Sequence, residues 1–364
     1  MKIEAAVSRV GQPHPVIETL DIEEPRAGEI LVRIVATGIC HTDLKVHAGQ
    51  GARTPLPAVL GHEGAGVVEC IGEGVRTVAV GDRVVLSGSS CGVCPSCLRS
   101  FPSYCLEMLR RNFSGSRLDG SSPLSLGGER IHAHFFGQSS FARYAIAGER
   151  SAVKVAADVP LELLGPLGCG ILTGAGAVLN AFSVGAGDSL AVFGSGGVGL
   201  AAIMAARLVG VSRIIAIDRV PRRLELAREL GATHTLDATH GDTVAAIREI
   251  TGHGADFSFN TTLAPEVFTQ ALECLAMRGT AGFVAAPLGE WRPAMFPMLA
   301  GGRRLQGIVG GDAAPQLAIP MLIDYYRQGR FAFDRLVRFY RFEEIATAFR
   351  DMEHGECVKP VLRM

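Results

Sequence analysis

Four cysteines lie close together in the first third of the chain, in the order Cys91, Cys94, Cys97 and Cys105. Two residues lie between Cys91 and Cys94, two between Cys94 and Cys97, and seven between Cys97 and Cys105. This spacing allows four thiolates to surround zinc with no open position, which is typical of a structural zinc site. An iron–sulfur cluster is the main alternative, because it also takes four thiolates. A zinc ribbon that binds nucleic acid is disfavoured, since the net charge is -1 and no strongly basic stretch occurs.

A glycine-rich run, Gly194-Ser195-Gly196-Gly197-Val198-Gly199, separates two apolar stretches. Such a run is typical of a strand-to-helix turn that binds a dinucleotide, with the pyrophosphate at the helix N-terminus. Asp218 follows 19 residues after Gly199, where a carboxylate accepts hydrogen bonds from the ribose hydroxyls. The same carboxylate would repel a 2′-phosphate, so we expect NAD to bind in preference to NADP. The nearby Arg219, Arg222 and Arg223 could soften that preference.

These motifs must be positioned by folded elements, and the chain is long enough for two domains. It has 364 residues, of which 48% are hydrophobic and 20% charged, so extended disorder is not expected. Short apolar runs between glycine and proline turns, such as residues 29–35 and 64–69, indicate a β-rich, barrel-like first domain. From residue 188 onward, strand-like runs alternate with helical patterns such as residues 221–230, as in a parallel sheet wound with helices. The predicted strands of that sheet are residues 189–193, 213–217, 233–236, 257–259 and 280–284.

The predicted fold class is therefore α/β. Residues 1–170 with 310–364 are predicted to form one domain, which contains the four-cysteine zinc motif, and residues 171–309 a doubly wound Rossmann domain that binds the dinucleotide. The first residues show no apolar stretch of a secretory signal, so we expect a cytoplasmic protein whose nine cysteines serve metal binding or catalysis rather than disulfides. Residues 189–206 carry no charge, but their central glycines favour a buried strand, turn and helix over a membrane span.

Three further residues, Cys40, His62 and Cys169, are 22 and 107 residues apart, and no spacing rule connects them. Each could be an ordinary residue, because free cysteine is commonly buried as a small hydrophobe. Their neighbours set them apart, since each lies in a short run with glycine: residues 38–43, 61–66 and 168–170.

The run Gly61-His62-Glu63, followed by Gly66, Gly72 and Val75, resembles the signature of zinc-containing medium-chain alcohol dehydrogenases. With residues 80–84, the four cysteines, Cys169 and the glycine motif in order, the resemblance covers nearly the whole chain. It implies a GroES-like catalytic domain joined to a Rossmann domain, in a homodimer or homotetramer.

Two shorter runs narrow the resemblance. Residues 135–141 and 166–170 are similar to those of bacterial aryl-alcohol (benzyl alcohol) dehydrogenases and their geraniol dehydrogenase relatives. The implied reaction is the reversible, NAD-dependent oxidation of primary aryl or allylic alcohols to aldehydes. Phe135, Phe136 and Phe141 are the candidates for lining a pocket that accepts such substrates.

The family pattern implies two zinc ions per chain, one structural and one catalytic. Cys40, His62 and Cys169 would hold the catalytic ion, with water or the alcohol in the fourth place. Two thiolates and one imidazole that leave a position open suit Lewis-acid chemistry. Glu63 would lie near the metal, and Asp43 would orient the imidazole of His62.

The resemblance also implies a route for the hydroxyl proton. Thr42 would take this proton and pass it to the cofactor ribose. In many relatives a histidine three residues later then releases it to solvent, but Lys45 stands there in this chain. A lysine with an ordinary pKa of about 10.4 is a poor acceptor at pH 7. His47 or a water chain would have to replace the histidine.

Further cofactor contacts are implied outside the glycine motif. His41 and Lys359 match positions that meet the pyrophosphate in relatives, and Thr173 matches one that packs on the nicotinamide. Residues 260–265 lack the glycine and the acidic residue that relatives often show after the fourth strand. The resemblance therefore does not assign cofactor contacts to that turn.

Two alternatives remain at this point. A formaldehyde dehydrogenase that acts on S-(hydroxymethyl)thiols shares the zinc sites, and a non-catalytic protein could bind NAD or zinc in the same fold. We expect a small alcohol or aldehyde as the substrate and no nucleic-acid or membrane partner, since neither a basic patch nor a spanning segment is predicted.

Overall fold

A computed structural model describes residues 1–50 and 54–364 and divides into two compact units. Unit 1 contains Met1–Cys169, Ala314–Ile323 and Asp334–Met364, and unit 2 contains Gly170–Ala313 and Asp324–Phe333. Unit 2 begins at Gly170, and the predicted second domain begins at residue 171. Residues 310–313, which the prediction assigned to the first domain, lie in unit 2, and so does the segment 324–333. The side chains of Phe331 and Phe333 in that segment are fully buried. The order of elements along the chain does not show which unit these two side chains pack in.

Up to Cys169, short strands predominate. The strands are β1 (Lys2–Ser8), β2 (Val16–Ile22), β3 (Glu29–Gly38), β4 (Ala58–Val59), β5 (Glu63–Ile71), β6 (Arg83–Leu86), β7 (Leu124–Leu126), β8 (Glu129–Ile131), β9 (Tyr144–Gly148) and β10 (Ala152–Lys154). The helices between them are α1 (His41–His47), α2 (Pro95–Leu98), α3 (Met108–Phe113) and α4 (Leu161–Leu164).

From Gly170 onward, strands alternate with longer helices. The helices are α5 (Gly170–Gly176), which a π-helical segment (Ala177–Phe182) follows, α6 (Gly197–Leu208), α7 (Pro221–Leu230), α8 (Thr243–Thr251), α9 (Pro265–Glu273) and α10 (Met295–Gly301). The strands are β11 (Ser189–Phe193), β12 (Arg213–Asp218), β13 (His234–Asp237), β14 (Ala255–Asn260), β15 (Leu275–Phe283) and β16 (Arg304–Gly307). The last elements of the chain are α11 (Pro315–Arg327), β17 (Val337–Arg341), α12 (Ile345–Glu353) and β18 (Lys359–Arg363).

Unit 1 is built on two sheets. One has the strand order β4-β1-β2-β7-β8, and the other has the order β10-β6-β5-β3-β18-β17, with β9 also paired to β3. The C-terminal strand β18 runs antiparallel to β3, so the end of the chain completes a sheet that its beginning started. Apolar side chains of both sheets, such as Leu20, Val59 and Leu362, are fully buried between these elements.

Unit 2 is a parallel six-stranded sheet with the order β13-β12-β11-β14-β15-β16. All five residues of β11 are buried, as expected for a central strand that helices cover on both faces. The strand order reverses next to β11, and such switch points are where open α/β sheets bind ligands. The uncharged stretch of residues 189–206 forms β11, the glycine turn and most of α6.

In the described ranges, no single helix is long and apolar enough to cross a membrane. One bent pair, Leu161–Gly168 and Gly170–Phe182, reaches the required length and composition only when its two parts are taken together.

Candidate active site

Three predicted metal ligands and one neighbouring carboxylate meet in unit 1. The ligand atoms of Cys40, His62, Glu63 and Cys169 all lie within 4.8 Å of one another. Cys40 directly precedes α1, and His62 precedes β5, which begins with Glu63. The second sheet brings these segments together, because Glu63 pairs with Gly38 at the end of β3. Residues that no spacing rule connects are therefore neighbours in the fold.

Asp43, in the first turn of α1, is fully buried against this cluster. Its Oδ1 accepts a hydrogen bond from the Gly61 N–H at 3.0 Å and lies 3.0 Å from His62 Nδ1. Its Oδ2 accepts from the Cys40 N–H at 2.9 Å. Because one carboxylate contacts both Cys40 and His62, it fixes the distance between two of the candidate ligands.

The donor set fits a zinc ion. His62 Nε2 is buried and has no hydrogen-bond partner among the residues that the structure describes, while Nδ1 faces Asp43. An unpaired buried nitrogen is costly, and it is the atom that a metal would use. Two thiols and an imidazole are ligands that zinc prefers, and three protein ligands leave a fourth position for another molecule.

The protonation states of the three ligands depend on one another. A hydrogen bond with Cys169 lowers the pKa of Cys40 well below its usual value, against the opposing effect of burial. The same bond raises the pKa of Cys169, and burial adds to the rise. Burial alone would lower the pKa of His62, but Asp43 and Cys40 raise it well above its usual value. Since a metal takes thiolate and neutral imidazole, its binding would release protons from this site.

Glu63 and Lys359 form a buried ion pair beside these ligands. Lys359 Nζ lies 2.8 and 2.9 Å from the two Glu63 oxygens and donates to the Ile39 carbonyl oxygen at 3.2 Å. Burial raises the pKa of Glu63 to about 7, although the Lys359 ammonium opposes the rise. The Lys359 ammonium thus contacts three oxygen atoms. Its contact with a cofactor pyrophosphate stays a prediction, and it would require at least one of the bonds to break.

Two residues in the turn before β9 hold His62, and neither contact is predictable from a motif. Gln138 Nε2 donates to the His62 carbonyl oxygen at 3.0 Å, and the Gly64 N–H donates to Gln138 Oε1 at 3.1 Å. The ring of Phe136 stacks on the imidazole of His62, with centroids 4.3 Å apart and an angle of 19° between the planes. Gln138 is 76 residues from His62 in the sequence, a separation over which no spacing signal exists.

The three phenylalanines predicted to line a substrate pocket differ in exposure. Phe135 and Phe141 are fully buried, whereas Phe136 is half-buried. Phe135 meets His62 edge-on at 5.4 Å, and Phe141 packs against Phe349 at 5.8 Å in the core of unit 1. Of these three rings, only Phe136 keeps surface that a ligand could touch.

Helix α1 carries the residues that the resemblance connects with proton transfer. Thr42 Oγ1 lies 3.8 Å from Cys40 Sγ, so this hydroxyl is next to the metal-ligand cluster. Lys45 lies one helical turn further along and is half-buried. Burial lowers the pKa of Lys45, and the negative charge of Cys40 opposes that effect.

The two histidines of α1 differ from each other. His41 is exposed at the start of the helix, where a contact with a cofactor remains a prediction. His47 is buried, and its ring nitrogens lie 3.0 Å from Ser8 Oγ and from the Gln12 carbonyl oxygen. With both nitrogens engaged, His47 is poorly placed to replace the histidine that Lys45 supplants.

The sulfur atoms of the four clustered cysteines, Cys91, Cys94, Cys97 and Cys105, also lie within 4.8 Å of one another. Cys91 Sγ and Cys97 Sγ are 3.9 Å apart. Two thiolates on a tetrahedral zinc, each about 2.3 Å from the ion, would be about 3.8 Å apart. Backbone N–H groups of Cys97 and Leu106 lower the pKa of Cys94 to about 6. Helix α2 buries none of its residues.

The glycine-rich run forms the turn from β11 to α6 in unit 2. A side chain at Gly196, the N-cap of α6, would extend into open space. A Cβ atom at Gly199 would collide with the Gly194 carbonyl oxygen, so glycine is required there for close packing of the turn. Gly197 and Val198 begin α6, whose first N–H groups have no partners within the helix. The turn therefore fits the pyrophosphate of a dinucleotide.

Asp218 lies at the carboxyl end of β12, beside this turn. Its Oδ2 accepts from the Ser195 N–H at 2.6 Å and its Oδ1 from the Val220 N–H at 2.9 Å. These bonds hold the Asp218 carboxylate at the carboxyl end of β12, where the ribose of the cofactor is predicted to bind. Thr173, predicted to pack on the nicotinamide, is buried in α5.

The turn after β14 contacts the glycine-rich run although it lacks the family residues. Thr261 Oγ1 lies 3.0 Å from the Phe193 carbonyl oxygen and 3.1 Å from that of Gly194. Asn260 Oδ1 accepts from the N–H and the hydroxyl of Thr262. The turn is thus ordered by its own side chains and supports the strand-to-helix turn next to it.

Two family models match the chain. The model of the alcohol dehydrogenase GroES-like domain matches residues 26–157, and the model of the zinc-binding dehydrogenases matches residues 197–324. The chain is also 50% identical to the geraniol dehydrogenase of Castellaniella defragrans over 362 residues, which are 98% of this chain and 96% of that protein. The chain belongs to the zinc-binding alcohol dehydrogenases.

The chain is also similar to other alcohol dehydrogenases. The crystal structure of benzyl alcohol dehydrogenase from Acinetobacter calcoaceticus has a TM-score of 0.96 at 45% identity, with 100% of this chain and 99% of that chain covered. The S-(hydroxymethyl)glutathione dehydrogenase of Synechocystis sp. is 36% identical over 370 residues, with both chains covered to 100%. The GroES-like and Rossmann-type architecture predicted from the sequence is thereby confirmed.

Proposed function

We propose that this alcohol dehydrogenase uses zinc and NAD to interconvert primary aryl or allylic alcohols and their aldehydes. The observation that carries the proposal is the convergence of Cys40, His62 and Cys169 around an unpartnered His62 Nε2. The relatives named for geraniol, an allylic alcohol, and for benzyl alcohol support the substrate class.

Cys40, His62 and Cys169 would hold one zinc ion, and the four cysteines of the lobe would hold a second. A zinc ion at the three-ligand site supplies a Lewis acid that lowers the pKa of an alcohol hydroxyl. Asp43 Oδ1 would accept a hydrogen bond from the Nδ1–H of His62, which keeps Nε2 available as the ligand atom. The fully buried surroundings of His62 and Glu63 exclude water from this side of the site.

Thr42 and Lys45 would handle the hydroxyl proton. The Thr42 hydroxyl is next to the metal-ligand cluster and can both accept and donate a proton. Lys45 follows at a spacing of three residues, which places the two side chains on one face of α1. Because burial lowers the pKa of Lys45, a larger fraction of this lysine is neutral, and so able to accept a proton, than of an exposed lysine at the same pH. The chain's own lysine thus takes the final position of the proton route.

The glycine turn and Asp218 would hold NAD. Bound NAD supplies the hydride acceptor at its nicotinamide ring. Gly194, Gly196, Gly197, Val198 and Gly199 form the cradle for the pyrophosphate. Asp218 would face the ribose hydroxyls, and its charge disfavours the 2′-phosphate of NADP.

Phe136 would contribute to the preference for conjugated substrates. It is the half-buried member of the predicted phenylalanine trio, and its ring already lies flat on His62. An aromatic or allylic group that enters beside His62 would meet the ring edge or face of Phe136, and such ring pairs are favourable.

Two copies of the chain would associate through unit 2. Met295, Phe296 and Leu299 of α10 are 68, 77 and 81% exposed, an unusual amount of apolar surface for one short helix. The neighbouring strand β16 is the edge of the parallel sheet, so its outer backbone groups are available to pair with another strand. A second copy has the same strand edge and the same apolar helix face. The two copies could therefore pair β16 with β16 and pack α10 against α10, as in an isologous interface.

The test is an alcohol panel with NAD and NADP in parallel, on protein of measured zinc content. We expect two zinc ions per chain and faster NADH formation with benzyl alcohol and geraniol than with S-(hydroxymethyl)glutathione. We also expect D218S to raise activity with NADP relative to NAD, with D21S, an exposed aspartate of β2, as its matched control. One zinc per chain, or a preference for the glutathione adduct, would contradict the proposal.

A further inference from the structure

We infer that Phe136 is a positioning residue for the metal site: its ring, stacked on His62, fixes the plane in which the imidazole presents Nε2. The inference rests on the proposed zinc site and concerns how the chain holds one of its ligands. It assigns to Phe136 a role that is separate from any contact with substrate.

The contacts of His62 restrain different parts of the residue. Asp43 Oδ1 holds Nδ1 at 3.0 Å, and Gln138 binds the backbone carbonyl. A single hydrogen bond at Nδ1 fixes one corner of the ring but still allows the ring to tilt about that corner. Phe135 meets the imidazole nearly perpendicular, at 83°. The flat contact with Phe136, at 4.3 Å and 19°, opposes a tilt of the imidazole plane.

The turn that delivers Phe136 has an unfavourable backbone. Phe136 has a φ of 51°, His134 a φ of 59° and Ser139 a φ of 56°, all in the left-handed region. A bulky residue with positive φ is an outlier, and such strain clusters at functional sites where the surroundings over-determine it. Here Ser139 Oγ accepts from the Phe135 N–H and donates to the Val59 carbonyl oxygen. These bonds stabilise the strained turn. The turn in this conformation places the ring of Phe136 on the imidazole of His62.

Two further rings contact the ring of Phe136. Phe113 contacts it at 4.9 Å and 66°, and Phe135 contacts it at 5.0 Å and 78°. Phe113 ends α3, the helix that follows Cys105 of the four-cysteine lobe. Asn112 ties this helix to the chain that precedes the lobe, through its bonds to the N–H and the carbonyl oxygen of Ser89. The ring of Phe136 therefore contacts both His62 and Phe113, the last residue of α3.

The experiment measures Co²⁺ binding to the three-ligand site in chains whose lobe is already loaded with zinc. The variants are F136A, F136L and F136Y, with C169S to identify the signal of the site. F339A is the matched control, because Phe339 is another half-buried phenylalanine of unit 1, and its ring packs against the Arg363 guanidinium. Chelator competition gives the affinity, the visible absorption of Co²⁺ reports the ligand geometry, and circular dichroism confirms folding.

We expect F136A and F136L to bind Co²⁺ about tenfold more weakly, the effect typical of residues that support a metal ligand. Their Co²⁺ absorption bands should shift, whereas F136Y, which keeps the flat ring, and F339A should match the wild type. F136L retains bulk without a ring and so separates stacking from simple filling of space. An unchanged spectrum in F136A and F136L, or an equal loss in F136Y, would overturn the inference. A wild-type chain without Co²⁺ at this site would instead overturn the proposed function, and the inference with it.

Discussion

A half-buried lysine holds its proton less tightly than a lysine in water, and Lys45 is such a residue. Burial lowers the pKa of its ammonium, although the negative charge of Cys40 opposes the change. At its ordinary pKa of about 10.4, a lysine is almost always charged at neutral pH. The expectation from sequence that Lys45 is a poor proton acceptor therefore weakens, because the structure supplies the desolvation that the sequence does not show.

Replacing Lys45 should change the pH dependence of catalysis. We expect K45M to lower kcat, since it removes the proton acceptor beside Thr42. K45H should move the pKa of the acidic limb of the kcat profile downward, because imidazole has a lower pKa than an amine. Pre-steady-state and steady-state rates across pH 5.5–9 would measure both effects, with K154M, a substitution of an exposed lysine, as the control. A profile that K45H leaves unchanged would remove Lys45 from the proton route.

Asp43 should control metal affinity without binding the metal. Its carboxylate accepts from two backbone N–H groups and from His62 Nδ1, and an amide has only one oxygen for these donors. We expect D43N to weaken zinc binding at the three-ligand site by about 10- to 100-fold, as for other residues that orient a metal-binding histidine. Chelator competition measures the change, with D21N as the control. Equal affinities in the two variants would show that Asp43 does not set the orientation of His62.

Some residues of the site could be predicted from a motif, others required the family resemblance, and some contacts could be predicted from neither. The four-cysteine cluster could be predicted because all of its ligands lie in one short segment with zinc-like spacing. Cys40, His62 and Cys169 required the family resemblance, since only sheet pairing brings them together. Phe136 on His62, Gln138 on His62 and Lys359 on Glu63 were beyond both, because these are contacts between distant segments that no motif encodes.

Secondary-structure elements were predicted with the observed bounds where their own residues mark them, by an apolar run or by residues typical of helix ends. The predicted β11 and α7 have the observed bounds, because one is a fully buried apolar run and the other begins with Pro221 and ends before a glycine. Strand β16 was not predicted. It is a short edge strand with no buried residue, and its pairing with β15 defines it more than its own residues do.

The strained turn before β9 should make stability depend on pH through His134. Burial lowers the pKa of His134 to about 4, although Glu29 opposes the change. An unfolded histidine has a pKa of about 6.5, so between these values the unfolded chain binds a proton that the folded chain does not. The stability contributed by neutral His134 is therefore present at pH 7 and is lost as the pH falls towards 4.

Urea unfolding of wild type and H134N at pH 7 and pH 5 measures this effect. From the two pKa values, His134 should account for roughly 2 kcal/mol of the stability that the wild type loses between these pH values. Asparagine tolerates the left-handed backbone of this position, so H134N should lose less stability over the same range. H354N, which changes an exposed histidine, is the control. A wild type and an H134N variant that lose equal stability would show that His134 is accessible to protons in the folded state.

For the whole molecule, the net charge of -1 means that copies of the chain meet with little mutual repulsion. Apolar surface is therefore the main determinant of association, and α10 exposes the most of it for its length in unit 2. A charge placed on this helix would have to be desolvated in any interface that covers it, and an isologous interface would contain it twice.

The double variant F296E/L299E should consequently shift the protein towards smaller species. Both side chains are more than three-quarters exposed, so the substitutions remove no core contact, and the folded chain should keep its thermal transition and zinc content. Sedimentation velocity over a range of concentrations measures the mass, and L317E, at a 73% exposed leucine of α11, tests whether any added surface charge has the same effect. We expect dissociation in F296E/L299E and an unchanged assembly in L317E. If both variants keep the wild-type mass, the interface lies elsewhere, and the exposed face of α10 must serve another purpose than self-association.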